Sequence, residues 1–217
     1  MNKNKIHHKF IPISFYGIAM GFLEAIVVVY LRELFYPDGF DFPLSNMPAK
    51  ILGIEWIREI TTIIMLIAIG IIAGKNPLQK FAYFIFTFGV WDIFYYIALK
   101  IFLDWPASLL TWDILFLIPI TWLGPVLAPV ICSITMILLS IFIIYFNEKN
   151  YLLKINFKEW FLIILGAIII FITFIRDFSN IIINNGFLSR LSSLPSNTDF
   201  QKIVSEFIPQ YFNWYLF

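Results

Sequence analysis

Six carboxylates stand within, or at the edge of, otherwise apolar runs: Glu24, Glu55, Glu59, Asp92, Asp113 and Asp177. Acids in such surroundings can carry protons, hold a cation through oxygen ligands, or receive the donors of a polar solute. Arg58, Arg176, Tyr95 and Tyr96 lie close to them in sequence and complete the candidate ligand-binding set. Asp92 is the sharpest case. At 1.5 Å per residue, a helix through its apolar run puts it ~15 Å from either end, near the middle of a bilayer. A charged Asp at that depth costs ~2.5–3.5 kcal/mol on insertion scales, so it needs a proton, a partner or water. Arg58, Arg176 and the two tyrosine hydroxyls are the partners the sequence offers.

The remaining polar positions read as helix faces. Glu55, Arg58, Glu59 and Thr62 have i, i+3, i+4, i+7 spacing and form one polar stripe. Its plain reading is Arg58 neutralising Glu55 or Glu59; its functional reading is one wall of a wet pocket. Glu24 lies ~10 Å below the outer end of its span. It shares a face with Gly17 and Gly21, whose G-x-x-x-G spacing lets another helix approach closely. Ser133 and Ser140 share a face suited to interhelical hydrogen bonds. Thr173 and Asp177 share another, with Arg176 beside them as a snorkelling pair. All six acids fall towards the same end of their spans, which predicts an outward-facing vestibule lined by carboxylates and sealed inward.

Several chemistries are excluded. The histidines are His7 and His8, both in the N-terminal tail, so the spans carry no histidine for haem or for general-base work. The single Cys132 rules out an intrachain disulfide and a cysteine-based zinc site, and its apolar neighbours make it a packed thiol. No phosphate-binding loop or dinucleotide fingerprint is present. No cofactor is expected: no haem, no zinc, no nucleotide. A net charge of +1 argues against nucleic acid as a partner.

These residues need elements to position them, and composition says which. Of 217 residues 60% are hydrophobic and 13% charged, with a mean hydropathy of +0.85. Soluble domains carry about 25% charged residues, so the solvent is the lipid bilayer. Apolar runs place spans at 11–31, 50–73, 78–102, 126–146 and 160–175. The first lacks a small-residue cleavage site and reads as a retained span, not a leader. Residues 113–146 are too long for one span and too short for two, which need about 40 residues. Pro119, Gly124, Pro125 and Pro129 mark the break, so 114–123 is assigned as a re-entrant or interfacial half-helix. The fold class is therefore all-α: a polytopic membrane bundle of five transmembrane helices plus that half-helix.

The chain divides into a basic tail (1–10), the bundle (11–177) and an extracytoplasmic tail (178–217). The tail is loop-like over 180–198, with a short helix over 199–208 capped by Asn197 or Thr198. Its aromatic end, Tyr211 to Phe217, reads as the start of a sixth span that a longer reading frame would show. An inside N-terminus places Lys3, Lys5, Lys9, Lys75, Lys80, Lys149, Lys154 and Lys158 on the cytoplasmic side, where short loops concentrate cations.

The runs GFLEA (21–25), FGVWDIFYY (88–96), WPASLLTWDILFLIP (105–119) and GPVLAP (124–129) resemble a group of uncharacterised bacterial multi-pass membrane proteins. The resemblance implies the bacterial cytoplasmic membrane and carries no activity. Two functions follow from the residues. In the first, the vestibule binds or transports a cation, a proton or a small polar solute through Asp92, Glu24 and Glu59. In the second, the chain is a non-catalytic accessory or assembly subunit that meets other membrane subunits, and its charges tie helices together. A membrane enzyme acting on lipid or isoprenoid is least supported, for want of His, Cys and paired Asp.

Overall fold

The computed structural model describes residues 4–149 and 155–217; Lys3 and Lys154 of the charge reading lie outside them. Five helices are long and apolar enough to cross a membrane: α1 (Asn4–Phe35), α2 (Ala49–Ala73), α3 (Pro77–Leu103), α4 (Leu127–Glu148) and α5 (Phe157–Asn184). Two short strands, β1 (Trp112–Phe116) and β2 (Trp122–Pro125), separate α3 from α4. A 3-10 segment (Phe187–Ser196) and α6 (Thr198–Val204) follow α5. The chain is thus an integral membrane protein with an all-α fold and one small sheet. Large apolar side chains such as Phe15, Ile57, Ile64, Ile101, Leu138 and Leu162 are exposed along the spans, as lipid as solvent requires.

The chain forms two compact units interleaved in sequence. The first comprises Met1–Val29, Thr61–Leu109 and Leu127–Asn156. Its hub is α3, and glycine is what lets neighbours reach it. A Cβ on Gly17 of α1 would lie 2.9 Å from the Val90 side chain, and one on Gly21 would lie 2.6 Å from the Trp91 carbonyl oxygen. A Cβ on Gly70 of α2 would lie 2.8 Å from the Lys80 carbonyl oxygen. On α3 itself, a Cβ on Gly89 would lie 2.6 Å from the Ser133 carbonyl oxygen of α4. The G-x-x-x-G face read from the sequence is therefore a helix contact. Ile13, Ala82, Tyr83, Phe86, Val90, Ile143 and Ile144 fill the core between these backbones.

The turn from α2 to α3 is set locally. Asn76 caps α3 by accepting the Gln79 amide (2.9 Å), and Pro77 takes the first helical position. At the other end, Lys100 Nζ reaches Asp104 Oδ1 at 2.7 Å and the carbonyls of Asp104 and Pro106. Its hydrogen bond and charge hold the Asp104 carboxyl below its ordinary range. Both side chains are exposed, so the pair adds little stability.

The second unit comprises Tyr30–Ile60, Leu110–Val126 and Phe157–Phe217. Leu44, Leu123, Phe178, Ile181, Ile182, Phe187, Leu194 and Phe200 form its core. Here the structure corrects the expected half-helix at 114–123. The segment is an antiparallel hairpin, with Asp113 opposite Gly124, Ile114 opposite Leu123 and Phe116 opposite Trp122. Periodicity over so short an apolar run does not separate strand from helix. Pro119 lies in the turn, where its missing N–H costs no ladder bond, and cross-strand pairing satisfies backbone groups that a broken helix would leave open.

A second correction concerns α5, which continues past Arg176-Asp177 to Asn184. Phe178, Ile181 and Ile182 recur at helical spacing and are buried in the core, so packing sustains the helix beyond the end of its apolar run. The end of α5 and the 3-10 segment replace most of the loop expected over 180–198, while α6 is the short helix expected after it, ending at Val204 instead of 208. Asn197 caps α6, accepting the Asp199 and Phe200 amides at 3.0 Å each.

Gly21→Val is expected to cost about 1–3 kcal/mol, the usual penalty for overpacking. Gly53→Ala meets no atom within 4 Å and is expected to be silent. Thermal unfolding of the two purified variants in the same detergent checks this; equal midpoints contradict the close contact.

Candidate functional site

The candidate residues divide between the two units. Glu24, Asp92, Tyr95 and Tyr96 belong to the first; Glu55, Arg58, Glu59, Asp113, Arg176 and Asp177 belong to the second.

In the first unit, each acid takes a hydroxyl from a neighbouring helix. Ser133 Oγ on α4 donates to Asp92 Oδ2 at 2.7 Å. Thr62 Oγ1 on α2 donates to Glu24 Oε2 at 3.2 Å. The Asp92 contact follows from the backbone approach at Gly89, one turn earlier on the same face, which brings the Ser133 residue against α3. Ser133 is buried and does the interhelical work expected of it. Ser140 is also buried, yet its hydroxyl has no partner among the described residues. Tyr96 is buried, and its ring meets Tyr95 edge-on at 4.9 Å between centroids. Cys132 is a partly buried free thiol.

In the second unit the polar groups organise the hairpin. Arg32 Nη2 and Asp113 Oδ1 form an ion pair at 3.0 Å, with side-chain exposures of 8% and 1%. The Arg32 guanidinium also lies 4.3 Å from the Phe40 ring centre, a favourable cation–π distance. Glu59 receives the Leu117 backbone N–H at 3.0 Å on both carboxylate oxygens, satisfying a donor at the start of the turn. Trp122 Nε1 donates to the Ile118 carbonyl at 2.8 Å. Its ring stacks on Phe174 with centroids 6.1 Å apart. A Cβ on Gly124 would meet the Phe174 ring at 3.2 Å, so α5 lies directly against β2.

Arg58 Nε donates to Glu55 Oε2 at 2.7 Å. Arg58 is thus engaged within its own helix, and Ser133 is one partner of Asp92. The expected stripe over Glu55–Thr62 separates into an ion pair, a cap on the hairpin turn and a hydroxyl for Glu24. Outside the spans, Tyr36 anchors the loop after α1: its hydroxyl accepts the Ser45 N–H at 2.9 Å, and burial raises the phenol above its ordinary range.

Arg176 and Asp177 are different. They line an open cleft of about 430 Å³ with Asn180, Phe207, Ile208, Gln210 and Tyr211. Sequence reasoning missed Arg32, the Leu117 amide and the Phe207–Tyr211 wall. Arg32 and Asp113 are 81 residues apart, and nothing local in either segment marks them as a pair. Among the described residues, no group of three or more His, Cys, Asp or Glu is placed to hold a metal ion.

Comparison with known proteins adds no relative: no family model, no curated protein and no solved structure matches this chain.

Arg32→Met removes the cation of the ion pair from a buried carboxylate and is expected to cost about 3–5 kcal/mol. The double variant Arg32→Met with Asp113→Leu is expected to recover most of that loss. A double-mutant cycle by denaturant titration in detergent measures the coupling. Additive losses would show that the pair does not hold the hairpin.

Proposed function

We propose that this chain is a non-catalytic accessory or assembly subunit of a bacterial cytoplasmic-membrane complex, with its N-terminus inside. The observation that carries the reading is the local engagement of its acids. Asp92, Glu24, Glu55, Glu59 and Asp113 each meet a donor on their own or a neighbouring element. Charges used in this way tie helices and hairpin together. A vestibule for a solute would instead turn them towards shared open space.

The orientation is supported by one end of the first unit. There Lys9 Nζ bonds the Ala73 carbonyl at 2.7 Å, and Gln79 Nε2 bonds Asn147 Oδ1 at 2.8 Å. The start of α1, the end of α2, the start of α3 and the end of α4 therefore share a side. Lys9, Lys75, Lys80 and Lys149 gather around it, as on a cytoplasmic face. The bacterial setting rests on the resemblance of the motif runs.

A second reading has one observation in its favour. Asp92 and Glu24 receive neutral hydroxyls, so a proton, a cation or a small polar solute would find carboxylates in mid-span. On this reading the chain binds or transports such a species.

Asp92→Asn separates the two. The amide oxygen still accepts the Ser133 hydroxyl, so an accessory subunit is expected to complement a deletion strain as wild type does. Loss of complementation at normal protein level would overturn the accessory reading in favour of transport. Topology is checked in a Cys132→Ser background. Asn76→Cys is expected to stay unlabelled by an impermeant maleimide in intact cells, while Asp38→Cys is labelled. The reverse pattern would invert the orientation.

A further inference from the structure

The five acids described above each have a hydrogen bond or ion pair; among the described residues the sixth, Asp177, has neither, although the Arg176 charge acts on it. Among the described residues, Arg176, Asp177, Asn180, Gln210 and Tyr211 make no side-chain hydrogen bond or ion pair, yet all five line the same 430 Å³ cleft. Adjacent residues on a helix project about 100° apart, so Arg176 and Asp177 influence each other by charge without making a direct ion-pair contact. The cleft therefore presents a cation and an anion side by side, with two amides and a phenol, all available to a ligand.

The depth of the cleft is set by α5. From Trp160 to Ile175 the helix carries no ionisable residue, ~24 Å of apolar rise, close to the hydrocarbon thickness of about 30 Å. Arg176 and Asp177 follow at once, at the level of lipid headgroups. Below them Ile172 is 48% exposed, and on the facing wall Ile208 is 56% exposed, so the polar cleft adjoins apolar surface suited to acyl chains. Trp214 and Tyr215 follow Tyr211 in sequence and are exposed aromatic residues of the kind favoured at membrane interfaces.

We infer that this cleft binds the zwitterionic phosphoethanolamine headgroup of a phospholipid. Arg176 takes the phosphodiester, Asp177 takes the primary ammonium, and Asn180 and Gln210 complete the polar contacts. An Arg–phosphate contact is charge-assisted and geometrically specific. An ammonium with three N–H donors suits Asp177, whereas a quaternary ammonium offers it none. The site is independent of the accessory role and of Asp92.

Native mass spectrometry of the full chain in detergent tests the site, using phosphatidylethanolamine, phosphatidylglycerol and phosphatidylcholine with matched acyl chains. Phosphatidylethanolamine is expected to be retained about tenfold better than the other two. Asp177→Ala is expected to level phosphatidylethanolamine with phosphatidylglycerol, and Arg176→Ala to weaken all three. Equal retention of the three lipids by the wild type, or variant titrations that superimpose on it, would overturn the assignment. Soluble phosphoethanolamine at the same concentration is expected to leave the lipid bound; full displacement would show a soluble ligand's site instead of a lipid's. If either charge variant fails to fold, Asn180→Leu decides. It fills the cleft from an exposed position and is expected to lower retention with an unchanged unfolding midpoint, and wild-type retention would refute the site.

Discussion

Helices in lipid gain nothing by hiding apolar surface from one another, because lipid tails are as apolar as leucine. What remains is close packing, and this protein obtains it by bringing backbones to α3. Gly17 and Gly21 admit α1, Gly70 admits α2 and Gly89 admits α4. Half of the most apolar stretch of α3 is buried, against a third or less for the other spans. The rest of the first unit depends on that asymmetry. Once α4 lies against Gly89, the Ser133 hydroxyl is within reach of Asp92, and an acid that would be costly in lipid becomes a helix-to-helix bond.

The second unit solves a different problem. A hairpin has a turn and two edges, and each polar backbone group there needs a partner. Glu59 supplies one to Leu117, Trp122 binds Ile118, and the Thr111 carbonyl accepts the Val126 amide at 3.0 Å. The buried Arg32–Asp113 pair joins the end of α1 to β1. Such a pair adds little net stability over apolar packing, but it penalises any other register heavily, because a slip would strand both charges. It specifies the hairpin more than it strengthens it. Polar groups in this unit thus serve the architecture until Arg176 and Asp177, which line the cleft.

The spans were legible because their signal is additive along the chain. Long apolar runs and G-x-x-x-G on a helix face act over one segment each, and five spans with a G-x-x-x-G contact followed from them. The Arg58–Glu55 pair was legible for the same reason: i, i+3 spacing makes the two neighbours in any helix. The hairpin was not legible. WDILF reads equally as strand or buried helix, and what decides between them is a partner strand and a carboxylate on another helix.

By itself, then, the sequence determined the solvent, the number of spans and the positions of the intramembrane acids, since each depends on hydropathy and helical period within one segment. Tertiary structure decided what those acids meet. Ser133 lies 41 residues from Asp92, Arg32 lies 81 from Asp113 and Leu117 lies 58 from Glu59, separations across which no local propensity acts. The wall formed by Phe207 to Tyr211 faces Arg176 and Asp177 for the same reason: packing of the tail on α5 places it there, and packing is a property of the folded chain, not of either segment alone.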